Sequence, residues 1–185
     1  MAITLPEKTG PWTVDDLAGL PEGPWRYEIV DGSLLMSPAP APRHELVLAR
    51  LWLALREQVP SPDRVLGPAG VTFDASYRVP DLVVVKEGLD LWDAKLISPA
   101  DVELAIEIMS PGSVTEDRIT KPAQYAALGI GAFWRVEADD EFSLTAYVLP
   151  TDGDVYAQVG VWREGEQVDI HEPFDIRFAV DQLRN

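Results

Sequence analysis

The chain has 185 residues, no cysteine, two histidines and a net charge of −16 at pH 7. Disulfides and thiolate metal sites are therefore excluded, a zinc site built on imidazoles is disfavoured, and the basic footprint of a non-specific nucleic-acid binder is missing. At 46% hydrophobic and 25% charged residues, the composition is that of a soluble globular protein, and the length suits one domain that buries its own core. The charge is uneven: residues 138–185 hold eleven acids against three bases, whereas 26–60 hold four of each. No apolar run approaches the ~20 residues of a membrane span, and the first ten residues lack a signal-peptide pattern, so a cytoplasmic protein without membrane contact is expected.

The first 24 residues are rich in Pro and Gly, and "TVDDLAGLP" predicts one short helix capped at Thr13 or Asp15. In "RYEIVDGSLLMSP", Tyr27 to Val30 and Leu34 to Met36 predict a β-hairpin turning at Asp31-Gly32. The prolines from Pro38 to Pro42 form a stiff connector. Arg43 to Val59 predicts a long helix whose polar positions Arg43, Arg50 and Glu57 recur every seven residues, and its wide apolar face calls for packing against a sheet.

Two strands joined by a loop follow, Val71 to Phe73 and Pro80 to Lys86, then a strand from Val102 to Met109. Ser113 to Glu116 matches a capping box, Gly129 closes the helix it opens, and Ala132 to Glu137 is a further strand. The remainder reads as an antiparallel meander: "FSLTAYVL", a turn at Asp152-Gly153, "VYAQVGVW", a turn at Gly165, then "FDIRFAV". This order predicts an α/β (α+β) fold with a mixed central sheet, two flanking helices, an N-terminal hairpin and a C-terminal meander.

Three residues carry the chemistry. Asp81 opens the apolar run "DLVVV", Glu107 interrupts the apolar strand "AIEIM", and Lys121 falls in or beside the next helix. A buried, ionised carboxylate needs a partner or a metal. Two carboxylates from adjacent strands repel unless a cation lies between them, and such an all-oxygen set suits Mg²⁺ or Mn²⁺. A lysine nearby would orient water or neutralise developing negative charge. Each acid alone has an ordinary explanation: Asp81 as a turn cap, Glu107 in an ion pair with Arg78 or Arg118. The conjunction of two acids on consecutive apolar strands with a cation on the next helix favours a site.

The order Pro80-Asp81, then Glu107-Ile108-Met109, resembles the PD-(D/E)XK nuclease pattern. Together, "RYEIVDGSLLMSPAPAPRHELV", "RVPDLVVV", "LAIEIMSPGS", "DRITKPAQYAALGI" and "FWRVEAD" resemble the Uma2 (DUF820) family of restriction-endonuclease-like proteins over residues 26–139. The resemblance implies a restriction-endonuclease-like core at about 26–139 within a single domain of residues 1–185, with 140–185 as an acidic extension. It also implies that Asp81 and Glu107 hold a divalent metal. The lysine of the nuclease pattern would stand where this chain has Met109; in this family it is displaced onto the next helix, here Lys121. Pro122 directly follows, so the helix either kinks there or starts a new segment, and Arg118 is the alternative cation. The family also tends to place a histidine at His44, an auxiliary site residue; Glu45 and Glu28 are weaker options.

The six tryptophans are spread too widely for a base-stacking platform, Trp134 reads as core, and His171 lies in an acidic, exposed segment. "GIGAF" lacks the phosphate-loop signature, and no serine has the elbow motif or histidine of a hydrolase triad. The expected function is a divalent-metal-dependent endonuclease that hydrolyses phosphodiester bonds in DNA, with Mg²⁺ or Mn²⁺ as cofactor and a homodimer as assembly. The alternatives are a catalytically inactive binding or assembly module of the same fold, or a metal-dependent phosphohydrolase on a small substrate.

Overall fold

A computed structural model of the chain describes residues 4–110, 116–139 and 141–184. The predicted N-terminal helix is a 3-10 helix, Val14–Gly19, in which the Asp16 carboxylate accepts from the Thr13 amide at 2.7 Å. Strands β1 (Trp25–Val30) and β2 (Ser33–Pro38) form the hairpin, paired from Trp25 with Pro38 to Val30 with Ser33. Asp31 and Gly32 both take positive φ, 48° and 74°, the two-residue turn whose twist matches the strands.

Helix α1 (Pro42–Arg56) begins with Pro42 in its first turn, where a missing N–H costs nothing. It buries one stripe, His44, Val47, Leu51 and Leu55. The expected wide buried face is narrower than its composition suggests, because Leu46 and Leu53 remain 48% and 53% exposed. A cylinder with 3.6 residues per turn rests only one side on a sheet.

Strands β3 (Val65–Leu66), β4 (Val71–Phe73), β5 (Ser76–Arg78) and β6 (Leu82–Val85) come next. The expected loop between Phe73 and Pro80 thus contains a strand. Ser-Tyr-Arg has no apolar alternation to announce it, and β5 exists because it pairs with β4 on one side and β1 on the other. Pro80 stays outside β6, leaving Asp81 just before its first residue. Strand β7 (Val102–Ile108) is followed by a π-helical turn (Glu116–Thr120) and α2 (Lys121–Ala127). Pro122 lies in the first turn of α2, so a new helical segment starts here. The capping box expected at Ser113 falls outside the described residues.

The chain ends in β8 (Ala132–Glu137), β9 (Ser143–Val148), β10 (Ala157–Arg163), β11 (Gln167–Ile170), β12 (Ile176–Ala179) and α3 (Asp181–Arg184). The central sheet has the order β10-β9-β8-β7-β6-β3. Only β7 and β8 are parallel, and the crossover between them carries α2. Strands β9 and β10 of the meander therefore extend the central sheet, while β11, which the sequence reading did not expect, pairs with β12 in a separate two-stranded sheet. The hairpin, β5 and β4 form a third sheet of order β2-β1-β5-β4.

Strand alternation splits the central sheet into two faces. Leu82, Val84, Leu104, Ile106, Ile108, Trp134 and Val136 join Val47, Leu51 and Leu55 of α1 in one core. Val83, Val85, Ala105 and Phe133 join Tyr125 of α2 in the other. Among the described residues, no helix is long and apolar enough to cross a membrane.

Candidate functional site

The antiparallel register of β6 and β7 pairs Leu82 with Ile106. One step further, it sets Asp81 beside Glu107 on the α2 face of the sheet, and the Ile108 amide donates to Asp81 Oδ2 at 2.8 Å. Both acids are buried, at 2% and 1% exposure. The sequence places them 26 residues apart; strand pairing makes them neighbours.

Each carboxylate is held by donors from other elements. Asp81 Oδ1 accepts from Arg26 Nη1 of β1 at 2.7 Å, and Oδ2 lies 3.0 Å from His44 Nε2 at the start of α1. Burial by itself pushes the Asp81 carboxyl up. The hydrogen bond and charge of His44, the charge of Arg26 and the Ile108 amide outweigh burial and hold it below the usual carboxylate range. On Glu107, Oε2 pairs with Lys121 Nζ at 2.9 Å, and Oε1 accepts from the Tyr125 hydroxyl at 2.8 Å. The four-residue spacing of Lys121 and Tyr125 puts both on one side of α2. Burial first, then the charges of Glu107 and Glu28, raise the Tyr125 phenol well above its ordinary value, so it stays a neutral donor.

A second buried network flanks the first. Arg78, with no exposed surface, donates to Glu28 Oε2 at 3.3 Å, to Glu116 Oε2 at 3.0 Å and to Gln124 Oε1 at 2.8 Å. The Val79 amide donates to Glu28 Oε1 at 2.8 Å. This arginine fastens β5 to β1 and α2, and so fixes the walls on which Asp81 and Lys121 stand.

Asp81, Glu107, Lys121 and His44, the four residues singled out in the sequence, all line one cavity of about 420 Å³, together with Arg26 and Glu28. The alternative cation goes elsewhere: Arg118 pairs with Glu137 at 3.0 Å, not with Glu107. Glu45 points its carboxylate toward solvent, its nearer oxygen 3.8 Å from His44 Nδ1. His171 pairs with Asp175 at the exposed surface. Sequence reasoning missed Arg26, Tyr125 as a Glu107 partner, and the Arg78 network. Hydrogen-bond partners 18 to 55 residues apart leave no local pattern; the only available hint was that charges as buried as these require partners.

No group of three or more His, Asp or Glu among the described residues converges in a way that could hold an ion. The candidate metal set is thus the carboxylate pair alone. Mg²⁺ needs only one or two protein carboxylates and retains its waters, and each carboxylate oxygen can accept more than one contact. Asp81 and Glu107 have the hard-oxygen chemistry such an ion requires. Arg26, His44, Lys121 and Tyr125 supply the positive charge and protons that keep the two acids together.

Comparison with known proteins matches this architecture. Residues 14–181 fit the Uma2 family, described as "Putative restriction endonuclease". The fold is similar to the crystal structure of a "putative nuclease belonging to DUF820" from Anabaena variabilis ATCC 29413, with a TM-score of 0.69, 19% identity, and 94% of this chain and 97% of that one covered. No curated protein matches the chain. With nearly its whole length matched by the family pattern, the chain belongs to the Uma2 family of restriction-endonuclease-like proteins.

Proposed function

We propose that the protein is a divalent-metal-dependent endonuclease that hydrolyses phosphodiester bonds in DNA. The observation that carries this reading is the convergence of Asp81, just ahead of β6, and Glu107 of β7 on one cavity that Lys121 also lines, with Lys121 Nζ 2.9 Å from Glu107. Two buried carboxylates held by five donors are an expensive arrangement that an apolar pair often replaces without loss of stability, which favours a functional role.

Asp81 and Glu107 would hold Mg²⁺ or Mn²⁺, which in such a site polarises a phosphoryl oxygen and lowers the pKa of bound water. Arg26 and His44 keep Asp81 ionised and aimed at the cavity. Lys121 is the group able to orient an attacking water and to offset charge on the phosphoryl oxygens. Tyr125 fixes the Glu107 rotamer from the opposite side. We further read the assembly as a homodimer, since β10 is an edge strand with Val159 about half exposed; sedimentation of the pure protein tests this. The cysteine-free composition suits a reducing compartment such as the cytoplasm.

The test is cleavage of plasmid and linear DNA by purified protein with Mg²⁺ or Mn²⁺. Asp81→Ala is expected to abolish cleavage, by at least about a thousandfold if metal ligation is lost. Cleavage that survives in Asp81→Ala, or intact DNA under every condition, rejects the reading. One observation favours a second function, a non-catalytic binding module: both carboxylates already have protein donors. Titration with Mn²⁺ separates the two, because only a metal-holding pair raises the thermal midpoint, and only while Asp81 is present.

A further inference from the structure

Helix α2 has two working flanks. Lys121 and Tyr125 turn toward Glu107, whereas Pro122, Ala123 and Ala126 line a separate cavity of about 300 Å³. Phe133, Tyr147 and Tyr156 add aromatic rings to the lining: the Phe133 ring lies 5.8 Å from both the Tyr147 and Tyr156 rings, each inclined by 26°. The Arg135 guanidinium sits 5.8 Å from the centre of the Tyr147 ring. At the mouth, Ile119 and Val155 are 67% and 71% exposed. Two large aliphatic side chains so open to water in the lining of one cavity leave apolar surface there for a ligand to cover.

The charges around this cavity decide what kind of ligand fits. Arg118 and Arg135 share one carboxylate, Glu137, at 3.0 and 2.9 Å, and Asp154 also lines the opening. Bases and acids nearly balance, so the cavity is no phosphate cradle. Its features are flat aromatic faces, a volume near the bottom of the ~300–1,000 Å³ range of ligand sites, and polar groups of both kinds at the rim. That combination suits a planar heteroaromatic ring with donors and acceptors along its edge.

Its position ties it to the carboxylate pair. Arg135 on β8 is the register neighbour of Glu107 on β7, so the two cavities are one strand apart with α2 standing between them. We propose that this second cavity is a nucleobase subsite, in which one unstacked base lies along the Tyr147 and Tyr156 wall, between Ile119 and Val155, with its polar edge toward Arg118 and Asp154. The proposal rests on the phosphodiesterase reading of the neighbouring site. It also reconciles that reading with a net charge of −16, because base stacking on aromatic side chains does not depend on phosphate neutralisation.

The experiment uses the whole wild-type chain in EDTA, where no turnover occurs, and measures binding of an eight-nucleotide single-stranded DNA, the same strand with abasic sites, and a free nucleoside monophosphate. The base-bearing strand is expected to bind roughly tenfold or more tightly than the abasic one. Ala123→Trp and Val155→Trp, both at exposed positions on the mouth, are expected to weaken it about tenfold while keeping the wild-type circular dichroism. Competition by the monophosphate would identify a free nucleotide as a sufficient ligand, and its failure would assign the site to a strand; the subsite stands in both cases. Equal binding of the abasic strand, unchanged affinity in both tryptophan variants, or no binding of any base-bearing ligand overturns it. Parallel cleavage assays separate the two ideas: Asp81-dependent cleavage without base binding removes the subsite alone, and base binding without cleavage removes the nuclease reading alone.

Discussion

The two faces of strands β6, β7 and β8 have been put to opposite uses. Toward α1 they present Leu82, Leu104, Ile106, Ile108, Trp134 and Val136, all buried and all apolar. Toward α2, together with Asp81 just ahead of β6, they present Glu107, Arg135 and Glu137, buried or nearly so, beside a smaller apolar cluster that includes Val83, Val85, Ala105 and Phe133. One face hides apolar side chains alone; the other combines apolar burial with charges that must be paired. The period of two along a strand lets a single backbone carry both, because neighbouring residues never share a face. A site built this way is held firmly: Glu107 rides on β7, and Asp81 directly precedes β6, strands whose reverse side is locked into the main core.

The contrast can be broken from either side. The largest expected effect is on the charged face. Lys121→Met leaves Glu107 buried without its cation and is expected to cost about 3–5 kcal/mol by urea denaturation. The double variant Lys121→Met/Glu107→Gln should recover much of that loss, and failure to recover it would mean that Lys121 contributes mainly by packing. On the apolar face, Leu51→Ala removes a fully buried side chain and should cost about 2–5 kcal/mol. Below its lowered melting temperature, any metal-dependent activity should remain close to wild type, because Leu51 lies about two turns along α1 from His44, the residue by which this helix reaches Asp81. A parallel collapse of activity would show that the faces are mechanically coupled.

Acid acts on the charged face alone. Asp81 is held below the usual carboxylate range in the folded protein, so its contribution is present above that range and is lost as the pH falls through the folded-state value. Asp81→Asn should therefore flatten the acid limb of a stability-against-pH curve, whereas Leu51→Ala should lower the whole curve without changing its shape. The smallest effect belongs to neither face: Leu53→Gln, on the solvent side of α1, should move stability by no more than about 0.5 kcal/mol.

Local signals in the sequence were enough for the hairpin about Asp31-Gly32, for α1 after its prolines, and for strands β7 and β8. Asp81 and Glu107 stood out because a charge within an apolar run demands an explanation, and Lys121 because a cation followed on the next helix. Strands β5 and β11 were hidden, since three or four residues of mixed polarity become strands only when a neighbour offers its hydrogen bonds.

Composition and pattern alone determined that thiol chemistry is absent, that the fold mixes α and β, and that two carboxylates needed a partner. The tertiary structure decided which partner each received. Arg26 and His44 reach Asp81 from β1 and α1, Lys121 and Tyr125 reach Glu107 from α2, and Arg118 is drawn away to Glu137. Those choices depend on strand register and on the side of a helix that meets the sheet. Both are set by packing between segments distant in the chain, which no local stretch of sequence encodes.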